Sequence, residues 1–383
     1  MAGIYIHIPF CRQACYYCNF HYSVSLKNKD EFINCLLEEI KLQKDFLEPF
    51  TEKTKNNKLL IDTLYFGGGT PSILEVSELI KILKQINEYY ELKEDAEVTL
   101  EANPDDLTIE KLLAIKQTSV NRLSIGIQSF EYPELKYLNR LHSPAQSLQS
   151  IKNAYKAGFE NISADLIYGI PTLTHEKWQE NLETLANYNV HHISPYCLTV
   201  EPKTPLNVFI KRQQAENVDE NHASEQFEMM IDILEKHGYE HYEISNFGKP
   251  GYFSKHNLSY WEETPYLGLG PSAHSYNCKI RQWNVRNTSE YINNIKKGHV
   301  PCEKEPISTK TGFNEYIMTS LRTQWGCNKN KISKQFGQPL LEHFNKESSS
   351  YIKNGSLMEK GDYVILTNKG KLLADKIASD LFA

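Results

Sequence analysis

Residues 3–18 read GIYIHIPFCRQACYYC. After Gly3, isoleucines alternate with Tyr5 and His7 in a run of strand length, stopped by Pro9. Cys11, Cys15 and Cys18 follow within eight consecutive positions. A strand that ends in a thiol-rich loop places reactive side chains beyond its carboxyl end, where open and closed α/β sheets gather their ligands.

The same unit recurs along the chain. Strands are predicted at Ile61 to Phe66, Glu97 to Glu101, Arg122 to Ile127, Asn161 to Ile167 and His192 to Leu198. Between them, helical periodicity covers Asp30 to Phe46, Val76 to Tyr89, Leu107 to Gln117, Pro144 to Ala157 and Glu176 to Asn187. Each such segment is long enough for a right-handed crossover between parallel strands. Six repeats predict an α/β fold, a partial (β/α)6 TIM-like barrel, over residues 1–245. That span also takes in a helix at Asn217 to His237 and a strand at Tyr239 to Ile244.

Residues 246–286 are rich in Gly, Pro, Asn and aromatics and lack a clear period, which predicts ordered loop or short helices. From 287 to 383 helical patterns lead to a hairpin at Gly355 to Leu366, turning at Lys360 and Gly361, and a closing helix at Leu372 to Leu381. This predicts a small C-terminal α+β domain of winged-helix type. Winged helices often bind DNA, but 42 basic against 48 acidic residues and no basic recognition helix argue against nucleic acid and for a structural or lid role.

With 40% hydrophobic and 23% charged residues in 383, the chain is expected to be globular rather than disordered. No apolar run approaches the roughly 18 residues of a membrane span, and the first eleven residues lack the pattern of an export signal. A cytoplasmic location is expected, and there clustered thiols signal metal or redox chemistry rather than disulfides. The other cysteines, Cys35, Cys197, Cys278, Cys302 and Cys327, are scattered and read as small hydrophobes.

Three thiolates spaced four and then three residues apart can hold three corners of a 4Fe-4S cubane and leave the fourth iron open to a chelating ligand. The alternative is a closed Cys3His zinc site completed by His21. The other strand ends favour the cluster. The second ends in GGGTP (67–71), the third in EANP (101–104) and the fourth in GIQS (126–129), and the fifth contains Asp165. A zinc knuckle requires none of these. Consecutive glycines let backbone carbonyls approach a ligand's ammonium group, and Glu101, Gln128, Arg140 and Asp165 offer charge-assisted bonds to a polar, charged ligand.

YIHIPFC at 5–11 with Cys15 and Cys18, GGGTP, EANP, GIQSF (126–130), LNR (138–140), DLIYGIP (165–171), YEISNF (242–247) and the LTNKGKLLAD tail (366–375) resemble the radical-SAM family of oxygen-independent coproporphyrinogen III oxidases and their relatives. The resemblance spans nearly the whole chain. It implies a 4Fe-4S cluster on Cys11, Cys15 and Cys18, and an S-adenosylmethionine site at Tyr5, Tyr17, Gly68, Gly69, Thr70, Glu101, Gln128, Arg140 and Asp165. Two departures lower the expectation of oxidase activity. Phe20 stands where the oxidases carry a fourth cysteine, and their extension before the cluster motif is missing.

HNLSYW at 256–261 instead resembles the HNxxYW signature of the family's haem-chaperone branch. That implies haem binding within 246–286 through His256, Asn257, Tyr260 and Trp261, and delivery to acceptor haemoproteins, membrane-associated ones included. A homodimer is compatible with this. An imidazole can ligate haem iron, and Tyr and Trp offer flat apolar surface to a porphyrin. Oxidative decarboxylation of coproporphyrinogen III stands as the alternative activity. His7, His191, His192 and Trp283 receive no role.

Overall fold

Ile4, Ile6 and Ile8 alternate along the first strand, and all three are fully buried. In the computed structural model, which describes residues 1–383, this strand, β1 (Gly3–Ile8), opens a parallel row. It pairs with β2 (Leu59–Gly68), and the row continues through β3 (Tyr90–Ala102), β4 (Arg122–Gln128), β5 (Asn161–Tyr168) and β6 (His192–Cys197). Helices Lys29–Leu42, Val76–Tyr89, Ile109–Lys116, Pro144–Lys156 and His175–Asn187 make the crossovers. The six carboxyl ends therefore share one rim, as the partial (β/α)6 barrel requires.

Local sequence fixes where these helices start. Ser143 accepts a bond from the Gln146 backbone N–H while the Gln146 side chain returns to the Ser143 N–H, with Pro144 in the first turn. Asp219 caps Glu220–Lys236 by accepting from the backbone N–H groups of Asn221 and His222. Each helix then buries one stripe; Leu79, Ile82, Leu83 and Ile86 are that stripe in Val76–Tyr89.

Two expectations about elements are corrected. The third strand starts at Tyr90, seven residues before the predicted Glu97. Its first half pairs Tyr90 to Leu92 with Leu59 to Ile61, but the charged stretch Glu91 to Asp95 hides it from an apolar pattern. Residues 246–286, expected to be loop or short helix, carry four strands: β8 (Asn246–Gly248), β9 (Tyr266–Leu269), β10 (His274–Tyr276) and β11 (Ile280–Asn284). Strands of three to five residues are too short to display a period.

These strands extend the sheet at both edges. With β7 (Glu240–Glu243), β8 lies antiparallel beyond β6. At the other edge β9 runs parallel to β1, followed by antiparallel β10, β11 and β12 (Cys302–Pro306). The chain between β8 and β9 thus passes from one end of the parallel row to the other, and helix Lys255–Trp261 lies on that crossing.

One hydrophobic core joins the sheet and its helices. A second begins at Phe313 and is built from helices Thr309–Leu321, Lys329–Phe336, Gln338–Lys353 and Ala374–Asp380 around a small antiparallel sheet. That sheet holds β13 (Cys327–Asn328), β14 (Leu357–Lys360) and β15 (Tyr363–Leu366), and the hairpin turns at Gly361 with φ of 61°. This is the expected small domain with a wing. No helix is long and apolar enough to cross a membrane.

Candidate functional site

The rim of the parallel row surrounds a cavity of about 640 Å³. Cys11, Cys15 and Cys18 line it, and the loop that carries them is held from both sides. The Cys11 N–H donates to the Ser23 carbonyl (3.0 Å) and the Tyr16 N–H to the Leu138 carbonyl (3.1 Å). Asn139 donates its side-chain amide to the Ala14 carbonyl (2.7 Å) and accepts from Gln13 on its own carbonyl (2.9 Å). The 138–140 segment is therefore a clamp on the cysteine loop.

Arg140 continues the clamp into the cavity. It donates to Cys15 Sγ (3.5 Å), Asn103 Oδ1 (2.7 Å) and the Gly126 carbonyl (2.9 Å). Its Nε is buried without a partner. Burial works against its charge, but Tyr17 and Cys15 beside it outweigh that and hold its pKa above the ordinary value. Thr70 donates to Cys11 Sγ (3.4 Å). Burial pushes the Cys11 thiol up to about 12 and Cys18 up to about 11, so both are protonated at neutral pH until a metal displaces the proton.

Two carboxyl groups face the thiols across the cavity. Glu101 accepts from Tyr65 Oη (2.8 Å) and Asp165 from Ser124 Oγ (3.2 Å). Burial raises Glu101 to about 7, with the charge of Asp165 adding to it, and raises Asp165 to about 6. Gln128 completes this side. A bulge shifts the β4–β5 register between Gly126 and Gln128, and Gln128 adopts a left-handed φ of 66°. Such backbone is uncommon outside glycine and clusters at ligand sites. Gly68 has φ of 107°, and a Cβ there would lie 2.7 Å from the His7 ring, so the second strand ends in a form only glycine fits.

The cavity thus unites Cys11, Cys15, Cys18, Tyr17, Gly68, Gly69, Thr70, Glu101, Gln128, Arg140 and Asp165. Tyr5 stands at the edge of this cavity, where a Cβ at Gly67 would lie 2.8 Å from its ring and 3.1 Å from Glu101 Oε1. It shares a face of β1 with His7, two residues on, and both line a neighbouring cavity of about 540 Å³. His21 lines that second cavity too and bonds Thr288 Oγ1 through Nε2 (2.9 Å), so it does not complete a four-ligand set with the cysteines.

The 256–261 segment is divided as well. Tyr260 and Trp261 line the second cavity, whereas His256 is 1% exposed and, like Asn257, lines neither. His256 Nδ1 is hydrogen-bonded to Thr63 Oγ1 (2.8 Å) and Nε2 to Tyr260 Oη (2.8 Å). Glu97 anchors the helix start by accepting from the backbone N–H groups of Lys255 (3.0 Å) and His256 (3.1 Å).

The Radical SAM superfamily profile matches residues 5–185, and that of the HemN C-terminal domain matches 307–373. The chain is 34% identical over 380 residues to the heme chaperone HemW of Bacillus subtilis, covering 98% of both chains. It is 34% identical to the heme chaperone HemW of Lactococcus lactis, covering 97% of this chain and 95% of that one. The chain belongs to the HemW family of radical-SAM proteins. Its fold matches the crystal structure of coproporphyrinogen III oxidase (HemN) from Escherichia coli with a TM-score of 0.84 at 21% identity, over 100% of this chain and 90% of the other.

For this HemW-family chain, several lining residues lay outside the motif reading. Ser124 and Tyr196 join the first cavity, and their strands alone signalled them. His274, Arg281 and Arg286 join the second, from a stretch whose strands were too short to recognise.

Proposed function

We propose that the chain is a haem chaperone: it binds haem and passes it to acceptor haemoproteins, and its rim cavity holds a 4Fe-4S cluster and S-adenosylmethionine. The observation that carries this reading is the convergence of three thiols, a half-buried arginine and two half-buried carboxyls on one cavity, in a chain of the HemW family.

The donor set fits the cluster. Cys11, Cys15 and Cys18 would hold three irons, and the three-thiol count leaves one iron for an amino and a carboxylate group. Thr70 and Arg140 donate to two of the sulfurs, which favours the thiolate form. Arg140 Nε, buried and unpaired, is available to a ligand carboxylate. Glu101 and Asp165 are positioned to balance the positive end of S-adenosylmethionine, and Gln128 to bond its polar edge. When bound, a reduced cluster of this kind supplies one electron to the sulfonium ligand. The protein's own part is to desolvate, orient and neutralise charge around that pair.

Haem transfer has a direct test. The cluster-reconstituted chain is loaded with hemin and mixed with an apo-haemoprotein, and the Soret band of the acceptor is followed. Growth of the acceptor's holo spectrum supports the reading. Hemin that never leaves the chain, or efficient conversion of coproporphyrinogen III to protoporphyrinogen by the reduced protein with S-adenosylmethionine, overturns it.

A further inference from the structure

The second cavity has a composition that the first does not explain. It lies between β1, β9 and β10 on one side and helix Thr309–Leu321 on the other, to which it owes Glu315 and Thr319. At about 540 Å³ it falls in the range of roughly 300 to 1,000 Å³ typical of small-molecule and cofactor sites. Tyr260, Trp261 and Phe20 give it broad apolar faces, and the Phe20 ring is exposed. The Trp261 indole N–H is buried with no acceptor.

Its imidazoles differ in availability. His7 bonds the His21 carbonyl through Nε2 (2.9 Å) and Tyr5 Oη through Nδ1 (3.3 Å). His21 has one nitrogen committed to Thr288. His256, behind the wall, has both nitrogens engaged. His274 is exposed at the cavity, packs 6.2 Å from the Trp283 ring, and neither of its nitrogens makes a hydrogen bond. The cations differ likewise. Arg281 is paired with Glu315 (2.9 Å), and the cavity's other acid, Glu263, is held by Lys331 (2.9 Å). Arg286 donates to the Asn19 carbonyl and has no carboxylate partner.

We infer that the haem of the proposed chaperone lies in this second cavity, with His274 ligating its iron and Arg286 pairing with a propionate. His256 is then a positioning residue that sets Tyr260 through its Nε2 bond. The inference rests on the haem-chaperone reading and specifies its site. An imidazole with a free lone pair is what haem iron takes, and a guanidinium without a carboxylate is what a propionate takes. Placing the iron on His256 instead would require breaking a 2.8 Å hydrogen bond in the protein interior, to Tyr260 Oη or to Thr63 Oγ1, at a side chain that lines neither cavity.

The test is a titration of the cluster-loaded chain with hemin, and separately with metal-free protoporphyrin IX, followed by Soret absorption and by the ferric EPR signal of imidazole ligation. His274→Ala is expected to remove that signal and weaken hemin binding about tenfold, leaving protoporphyrin IX binding nearly unchanged. Arg286→Ala is expected to weaken both ligands about tenfold. His256→Gln, checked for folding by circular dichroism, is expected to keep the imidazole signal. The inference is overturned if His274→Ala keeps the signal, or if folded His256→Gln loses it. A wild-type chain that shows no Soret shift at all defeats the haem reading itself, a result distinct from either.

Discussion

Thr63 Oγ1 and His256 Nδ1 lie 2.8 Å apart in the protein interior, and Gly3 is what leaves them room. A Cβ at Gly3 would stand 2.5 Å from that hydroxyl and 3.5 Å from the imidazole. The signature histidine is thereby tied to the second strand and stacked on Tyr65, with ring centroids 4.9 Å apart.

Removing the hydroxyl should be felt as stability. Thr63→Val keeps the shape but strands His256 Nδ1 in a buried site, which is expected to cost about 1 to 3 kcal/mol. Denaturant unfolding monitored by circular dichroism measures it. A change within experimental error would show that the bond contributes nothing net.

Glu97 and Arg122 form a buried pair, 3.7 Å apart with side chains 4% and 2% exposed, directly under the 254–261 helix start. Glu97→Ala leaves the guanidinium uncompensated and removes the acceptor of two backbone N–H groups, for an expected loss of about 3 to 5 kcal/mol. Hydrogen exchange should show the 254–261 amides opening first. Unaltered exchange there would refute the anchoring role.

Serine in place of Cys11, Cys15 or Cys18 is expected to abolish cluster assembly one variant at a time. Anaerobic reconstitution should drop from about four irons per chain to near none. The three thiols are not core residues, so the variants' far-ultraviolet spectra should match the parent's. A stable serine variant with full iron content would remove that cysteine from the ligand set.

Glu101 predicts a pH dependence. Its folded pKa, about 7, lies above the value near 4.5 of an exposed glutamate. A group raised on folding favours the folded state below its unfolded pKa, and that contribution is lost as pH rises through the folded value. The ligand-free protein should therefore lose stability between about pH 4.5 and 7 from this group. A positively charged ligand that needs the ionised form should bind more tightly over the same rise. Binding of S-adenosylmethionine, measured by calorimetry at pH 6 and pH 8, should strengthen with pH in the parent and flatten in Glu101→Gln. Equal slopes in both would refute the assignment.

The six-strand row was legible because most of each parallel strand is buried and reads as a short apolar run between helices of clear period, the charged first half of β3 excepted. The rim motifs were legible because glycine, proline and carboxylates interrupt those runs at matching places, as at Gly67 to Pro71 and Glu101 to Pro104. What escaped was set by tertiary pairing. β9 to β11 are short and take their definition from the strands beside them, β9 from β1 and the others in turn, so nothing local announced His274 or Arg286 as neighbours of Tyr260. The face shared by Tyr5 and His7 follows from the phase of β1.

Asn19 and Phe20 line both cavities, directly after the last cysteine of the loop. A single dipeptide therefore serves as a party wall between two chambers, one furnished with thiols and the other with imidazole and guanidinium. A ligand in either chamber would touch the same two residues, and any influence of one on the other would be equal in both directions. The exposed Phe20 ring stands at that wall.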